Sequence, residues 1–189
     1  MNSKDVMMKR FSRWQMWFAV SLAALVALMS GCASTPVLLD YAKEKPALDL
    51  RQYFSGTVDG WGYVKDRSGK VVRRMYVEIV CTWNGNEGML DESFKWSDGK
   101  TEKRIWKIRK DGDRYIGTAG DVVGEATGVA GGNALQWNYV LRLPPEQGSY
   151  EVNMDDWMWL IDDKTLANQT VMTKFGIKFA EINIFFRKR

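Results

Sequence analysis

The residues of this chain that could do chemistry are few, and most of them are acids. There is no histidine, which excludes Ser-His-Asp and Cys-His catalysis and nearly all of the usual zinc, copper and haem sites. Of the two cysteines, Cys81 alternates with Met75, Val77, Ile79 and Trp83, an apolar setting that raises a thiol's pKa and suppresses the reactive thiolate. The remaining candidates are charged residues on apolar faces. Glu92 shares a face with Leu90, Phe94 and Trp96; Arg104 shares one with Trp106 and Ile108; the turn signal Ser97-Asp98-Gly99 between them can bring the two faces together. Asp156 falls in register with Val152, Met154, Met158 and Leu160. A buried carboxylate must be paired or protonated. Two readings follow. Glu92 and Arg104 are an ion pair that fixes strand register, or they are the polar anchor of an apolar cavity. In the second reading Arg104 meets a carboxylate or phosphate head through a bidentate contact, with the tail against Phe94, Trp96, Trp106 and Trp137. Paired carboxylates also suit general acid and base work, as in glycoside hydrolysis, but nothing in the spacing fixes their separation. No metal site, cofactor or catalytic residue is assigned.

The glycines at 120, 124, 128, 131 and 132 suggest a loop that grips phosphate. Such a loop needs Gly-Lys-Ser/Thr at its end and a helix after it, whereas Gly132 is followed by Asn133 and a strand pattern. Glycines at spacings of four fall on one face of a strand, where the missing side chain lets a sheet bend or another group approach. That duller reading places Gly120, Gly124 and Gly128 along one strand face, with room for a ligand beside it.

The elements that must position these residues are strands. Aromatic and β-branched runs alternate with turn residues at Asp66-Arg67-Ser68-Gly69, Ser97-Asp98-Gly99, Lys110-Asp111-Gly112-Asp113, Gly131-Gly132-Asn133 and Asp162-Asp163, which are hairpin signals at regular spacing. Met75 to Trp83 alternates apolar with polar, and Leu135, Trp137, Tyr139, Leu141 and Leu143 repeat the period of two. Apart from a possible short helix around Tyr41 to Leu50, no long stretch after residue 31 has helical period. The fold class is all-β: about eight to ten strands that close most easily into a single antiparallel up-and-down barrel, which removes exposed edges. A two-layer sandwich is the alternative. In Met154-Asp155-Asp156-Trp157-Met158-Trp159 both faces carry bulky groups and an acid, so that strand faces a second partner outside the barrel or lies near a membrane interface.

The start of the chain gives an address. Lys4, Lys9, Arg10 and Arg13 lead into an apolar run from Met16 to Met29 that ends at Ser30, Gly31 and Cys32, the pattern of a secretory signal. The small-small-Cys ending resembles the lipobox of bacterial lipoproteins, with Met29 where leucine is commonest. The resemblance implies cleavage before Cys32, lipidation of Cys32 and stable membrane attachment. Ala33, in place of an aspartate, implies the periplasmic face of the outer membrane. The expected organisation is a signal peptide over 1–31, a lipidated cysteine and tether over 32–49, and a barrel domain over 50–189. Residues 1–31 hold 4 of the 27 Lys and Arg and 1 of the 23 Asp and Glu, leaving 23 against 22. The net charge of +4 thus belongs mainly to the export signal and gives no support to nucleic-acid binding. With Cys32 lipidated, Cys81 has no intramolecular partner and no disulfide framework is expected.

In order along the chain, Tyr53-Phe54-x-Gly56, Gly60-Trp61-Gly62, Asp66-Arg67-x-Gly69, Leu90-x-Glu92-x-Phe94, Arg104-x-Trp106, Gly117-x-Ala119-x-Asp121-Val122-x-Gly124, Gly132-Asn133-Ala134 and Asp155-Asp156-Trp157-Met158 resemble the small bacterial lipoproteins grouped as domain of unknown function 3833. The resemblance implies a lipocalin-like barrel and no established activity. The expected function is a membrane-anchored carrier or sensor of an apolar or amphipathic molecule such as a lipid or fatty acid. A structural or assembly partner of envelope proteins is the alternative, and a lipid-modifying enzyme a weaker one. A cavity of some hundreds of Å³ lined by aromatics separates the first from the second, which asks for a filled barrel and an exposed apolar patch.

Overall fold

The computed structural model describes residues 36–189, with the exception of 146, 147 and 149. Cys32, the expected signal peptide and the start of the expected tether lie outside the described residues. Ten strands follow one another: β1 (Gly56–Asp66), β2 (Val71–Asn84), β3 (Glu87–Trp96), β4 (Thr101–Asp111), β5 (Arg114–Thr118), β6 (Ala126–Gly131), β7 (Ala134–Arg142), β8 (Glu151–Leu160), β9 (Thr165–Lys174) and β10 (Ile177–Lys188). Each pairs antiparallel with its neighbour in sequence, and β1 pairs with β10 from Val58↔Lys188 to Asp66↔Ala180, so the meander closes into a barrel. Closure satisfies the edge hydrogen bonds that an open sheet would leave free. The unit Val37–Arg189 is compact and contains both partners of every strand pairing, so it carries what its own core requires.

The period of two sends one set of side chains inward. On β2, Met75, Val77, Ile79 and Cys81 are buried, and on β7 Leu135, Trp137 and Leu141 are buried, as the alternation predicts. β5 and β6 are short. The loop between them takes the place of the missing strand length: Arg142 N–H donates to Asp121 O (2.8 Å), Val123 N–H donates to Val140 O (2.9 Å), and Val122 bridges to Leu141. Gly120 and Gly124 therefore lie in this loop and not along a strand face with Gly128, which corrects the expectation for the glycine run. What Gly128 provides is room for an indole. A Cβ there would collide with Trp137, and one at Gly117 would stand 2.7 Å from the same ring.

Turns after β2, β4, β6 and β8 gather at one end of the barrel, and this end is plugged. Asp49 caps the short helix α1 (Leu50–Tyr53), accepting from Arg51 N–H, and forms an ion pair with Lys110 (2.6 Å). Such a cap contributes about 1 kcal/mol. Leu50 N–H donates to Tyr115 Oη (3.1 Å), Tyr53 Oη donates to Lys164 O (2.9 Å), and Trp83 Nε1 donates to Phe54 O (2.7 Å). These bonds hold Leu48, Leu50, Tyr53 and Phe54 buried.

Within the segment expected as a tether, the chain packs on the barrel wall from Leu38, which lies against Gly131. A 3-10 turn at Leu38–Tyr41 lays Tyr41 beside Trp157 and Trp159, with ring centroids 5.9 and 6.2 Å away. Leu48 N–H donates to Gly132 O (2.8 Å). The second partner of the β8 tryptophans is thus a segment of the same chain, and Gly132 is small because a Cβ would strike the Tyr41 carbonyl.

Candidate functional site

Inward-facing side chains do not fill this barrel. A cavity of about 450 Å³ runs from Leu50 and Phe54 at the plugged end to Val72, Glu102, Arg142, Pro144 and Phe179 at the other, all five of which are exposed. The unplugged end is the mouth. Its rim combines exposed apolar side chains, Phe175 (90% exposed) at the tip of the β9–β10 hairpin together with Val71, Tyr150 and Ile177, and the ion-paired Arg73 and Arg142.

Glu92, Phe94, Trp96, Arg104, Trp106, Trp137 and Asp156, the residues singled out from the sequence, all line this one cavity. The turn after β3 sets Glu92 opposite Arg104, and β7 sets Trp137 opposite Asp156. Trp106 stands edge-on to Trp137 and Tyr139, at 5.7 and 5.4 Å between centroids, and Phe94 stacks parallel to Trp96 at 6.0 Å. Edge and offset arrangements of this kind are the favourable aromatic geometries.

The polar groups are arranged differently from the expected pair. Arg104 Nη1 lies 3.8 Å from Glu92 Oε2, an ion pair without a hydrogen bond. Its close partner is Asp121 in the β5–β6 loop: Nε donates to Oδ1 (3.1 Å) and Oδ2 (3.0 Å), and Nη2 donates to Oδ2 (2.6 Å). On β8 and β9, Asn168 Nδ2 donates to Asp156 Oδ1 and to Trp157 O (3.0 Å), and Thr170 sits opposite Asp156. Glu92 Oε2 and Trp96 Nε1 are buried and have no hydrogen-bond partner among the described residues. Buried polar atoms are nearly always partnered, so both have hydrogen-bonding capacity left for a water or a ligand atom.

Burial pushes the Glu92 carboxyl up to about 7, with Arg104 opposing and the charges of Asp121 and Asp91 adding to the rise. Burial likewise pushes Asp156 up to about 7, against the hydrogen bonds of Asn168 and Thr170 and with the help of the Glu92 charge. The Tyr139 phenol is raised, first by burial and then by Asp156, and it stays neutral. Cys81 is buried, and its thiol is pushed up to about 12 by that burial and by the Glu92 charge; it is a core residue and no nucleophile. The site can accept hydrogen bonds, hold a polar atom against Glu92 and surround an apolar chain.

Asp121, Tyr139, Asn168 and Thr170 complete the site. Asn168 and Thr170 share parity with Leu166 and Met172, which is the one sequence signal for them. Asp121 has no periodic signal, only its place in the Gly117 to Gly124 motif that carries part of the family resemblance.

Similar solved structures are barrels of low sequence identity. Rv2717c from M. tuberculosis is 16% identical, with a TM-score of 0.56 over 78% of this chain and 99% of that one. A protein of unknown function from the DUF3598 family of Nostoc punctiforme is 14% identical, with a TM-score of 0.54 over 83% of this chain and 53% of that one, so the chain spans about half its length. The S-type phycobiliprotein lyase CPES from Guillardia theta is 5% identical, with a TM-score of 0.52 over 82% of this chain and 99% of that one. At such identities the likeness is one of fold. No curated protein matches the chain. The family model described as "Protein of unknown function (DUF3833)" matches residues 26–188, nearly the whole of the chain, and the protein belongs to that family.

Proposed function

We propose that this protein binds or carries an apolar or amphipathic small molecule, of the lipid class, while held by a lipidated Cys32 at the periplasmic face of the outer membrane. The barrel fold is compatible with small-molecule binding. The observation that carries the reading is the cavity: about 450 Å³, within the range that holds one drug-sized ligand, walled by Phe94, Trp96, Trp106 and Trp137 and open at one end of the barrel. A barrel evolved only as a rigid partner for other proteins has no need of such a space. Leaving it empty forfeits dispersion contacts along its walls. The address rests on the basic start, the apolar run and the Ser30-Gly31-Cys32 ending.

The test is a titration of Val37–Arg189 with long-chain amphiphiles, followed by tryptophan emission, since Trp96, Trp106 and Trp137 border the cavity. One-to-one saturation is expected. Absence of saturation by any amphiphile would count against the carrier. One observation favours the assembly reading as well, the exposed apolar rim of Val71, Val72, Tyr150, Phe175, Ile177 and Phe179. Replacing Phe175 and Ile177 by aspartate would leave ligand saturation unchanged if the rim serves a protein partner, and would slow ligand entry if it serves the mouth.

A further inference from the structure

We infer that the head group held in this cavity is a hydrogen-bond donor of positive charge, a primary amine on an apolar chain, and not a carboxylate or a phosphate. The inference rests on the carrier reading above and narrows its ligand.

Charge inside the cavity is one-sided. Below the rim its lining carries the buried carboxyls of Glu92 and Asp156 and, toward the mouth, the partly exposed Asp121, against the single guanidinium of Arg104. The other basic lining residues belong to the rim and have acids of their own: Arg73 lies 3.0 Å from Asp98 and 3.4 Å from Glu102, and Arg142 lies 3.0 Å from Glu151. No group of three or more Asp, Glu, Cys or His side chains among the described residues could hold a metal ion, so the three acids are not gathered around one cation of that kind.

Arg104 is also already engaged. Two nitrogens of its fork donate to Asp121, and the third faces Glu92. An incoming carboxylate or phosphate would have to displace one acid from the guanidinium and then sit beside it, at the cost that like charges at close range impose. An ammonium has the opposite fit. It brings three donors and no acceptor, and Glu92 Oε2 is an acceptor without a donor. Phe94 and Trp96 already lie under the guanidinium groups of Arg104 (5.9 Å) and Arg73 (3.7 Å), so the rings that remain to attract a further cation are Trp106 and Trp137. Trp96 Nε1, a donor without an acceptor, suits a hydroxyl or carbonyl oxygen further along the same ligand.

The groups that face Glu92 set the pH dependence. Arg104 on β4 favours its charged form, while Asp121 in the loop, Asp91 on its own strand and Asp156 on β8 disfavour it. Tyr139 on β7 and Cys81 on β2 are raised and neutral near pH 7. A bound ammonium lowers the carboxyl pKa by the same attraction that Arg104 exerts. Amine binding therefore releases protons below about pH 7 and tightens as pH rises through that value. A fatty acid, which must enter neutral or meet neutral partners, weakens over the same range.

The experiment compares dodecylamine, dodecanol and dodecanoate, three probes with one tail, by tryptophan emission of Val37–Arg189 below their aggregation limits. At about pH 7.5 the amine is expected to bind at least about tenfold more tightly than dodecanoate, and to tighten between about pH 6 and about pH 8. E92Q, checked for an unchanged far-UV spectrum, is expected to lose about tenfold for the amine and less than about twofold for dodecanol; D156N provides a second variant should E92Q alter the fold. Dodecanoate binding as tightly as the amine, or E92Q weakening the amine and the alcohol equally, would overturn the inference and leave the carrier standing. Binding of none of the three would remove both.

Discussion

Asp121 closes the fork of Arg104: one carboxylate oxygen takes Nε at 3.0 Å and Nη2 at 2.6 Å, and Glu92, the residue opposite Arg104 in the β3–β4 hairpin, is left 3.8 Å away without a hydrogen bond. A loop residue thus occupies the guanidinium that the strand pattern alone would leave to Glu92 or to a ligand, and Glu92 Oε2 becomes an acceptor of the cavity without a hydrogen-bond donor among the described residues.

Removal of that clamp makes the first prediction. D121A should lower stability by about 1–3 kcal/mol, less than the loss of a fully buried pair because Asp121 is partly exposed. It should also free Arg104 and raise the affinity for dodecanoate relative to dodecylamine. Urea unfolding and the emission titration measure the two effects. An unchanged preference between the probes would show that the fork does not control access for anions.

Stability should fall as pH rises from about 5 to about 8. Glu92 and Asp156 are raised from 4.5 and 3.8 to about 7 in the fold, so between those values the folded chain binds more protons than the unfolded one. Stability then declines with pH by at most about 1.4 kcal/mol per unit for each group, and it levels off above about 7. The chain has no histidine to obscure this window. Asp59 and Glu181, each held at about 2, first by the hydrogen bonds of Arg189 and of Asn183 respectively, act in the opposite sense and only below about pH 4. Urea midpoints across the range should show the decline, and E92Q should roughly halve its slope. A midpoint that rises from about pH 5 to about pH 8 would contradict the burial of these carboxyls.

Gly128→Val should drive the Trp137 indole from its place against β6. The expected cost is about 1–3 kcal/mol from overpacking, with a shift in tryptophan emission and weaker amphiphile binding, because the displaced ring enters the cavity. Wild-type stability and emission in this variant would place Trp137 elsewhere.

Two thiols should behave in opposite ways. Cys81 is expected to resist reagents in the folded chain and to react once urea unfolds it, since burial holds its thiol at about 12. In the full chain, Cys32→Ser should abolish palmitate labelling and release the protein from the outer-membrane fraction. Continued labelling would refute the anchor.

Much of the fold was legible because an up-and-down barrel repeats one local rule. The alternation of Met75 to Trp83 and of Leu135 to Leu143 assigns inner and outer faces, and Ser97-Asp98-Gly99 sets Glu92 opposite Arg104. What escaped the pattern depends on long-range contact. Asp121 meets Arg104 from a loop that replaces a strand. Asn168 and Thr170 are buried polar residues on β9, where inner and outer faces look alike in sequence. The packing of Tyr41 on Trp157 and Trp159 joins residues over a hundred positions apart in the chain, and no local period announces it.

The central claim is that the space between the Glu92–Arg104 wall and the Asp156 wall holds a ligand. The most direct measurement is the emission titration of wild type beside Met158→Trp, a substitution on the cavity lining that fills the space with an indole. Wild type should saturate at one amphiphile per chain, and Met158→Trp, with an unchanged far-UV spectrum, should lose about tenfold or more in affinity. Equal binding by the two, or no saturation by wild type, would contradict the account.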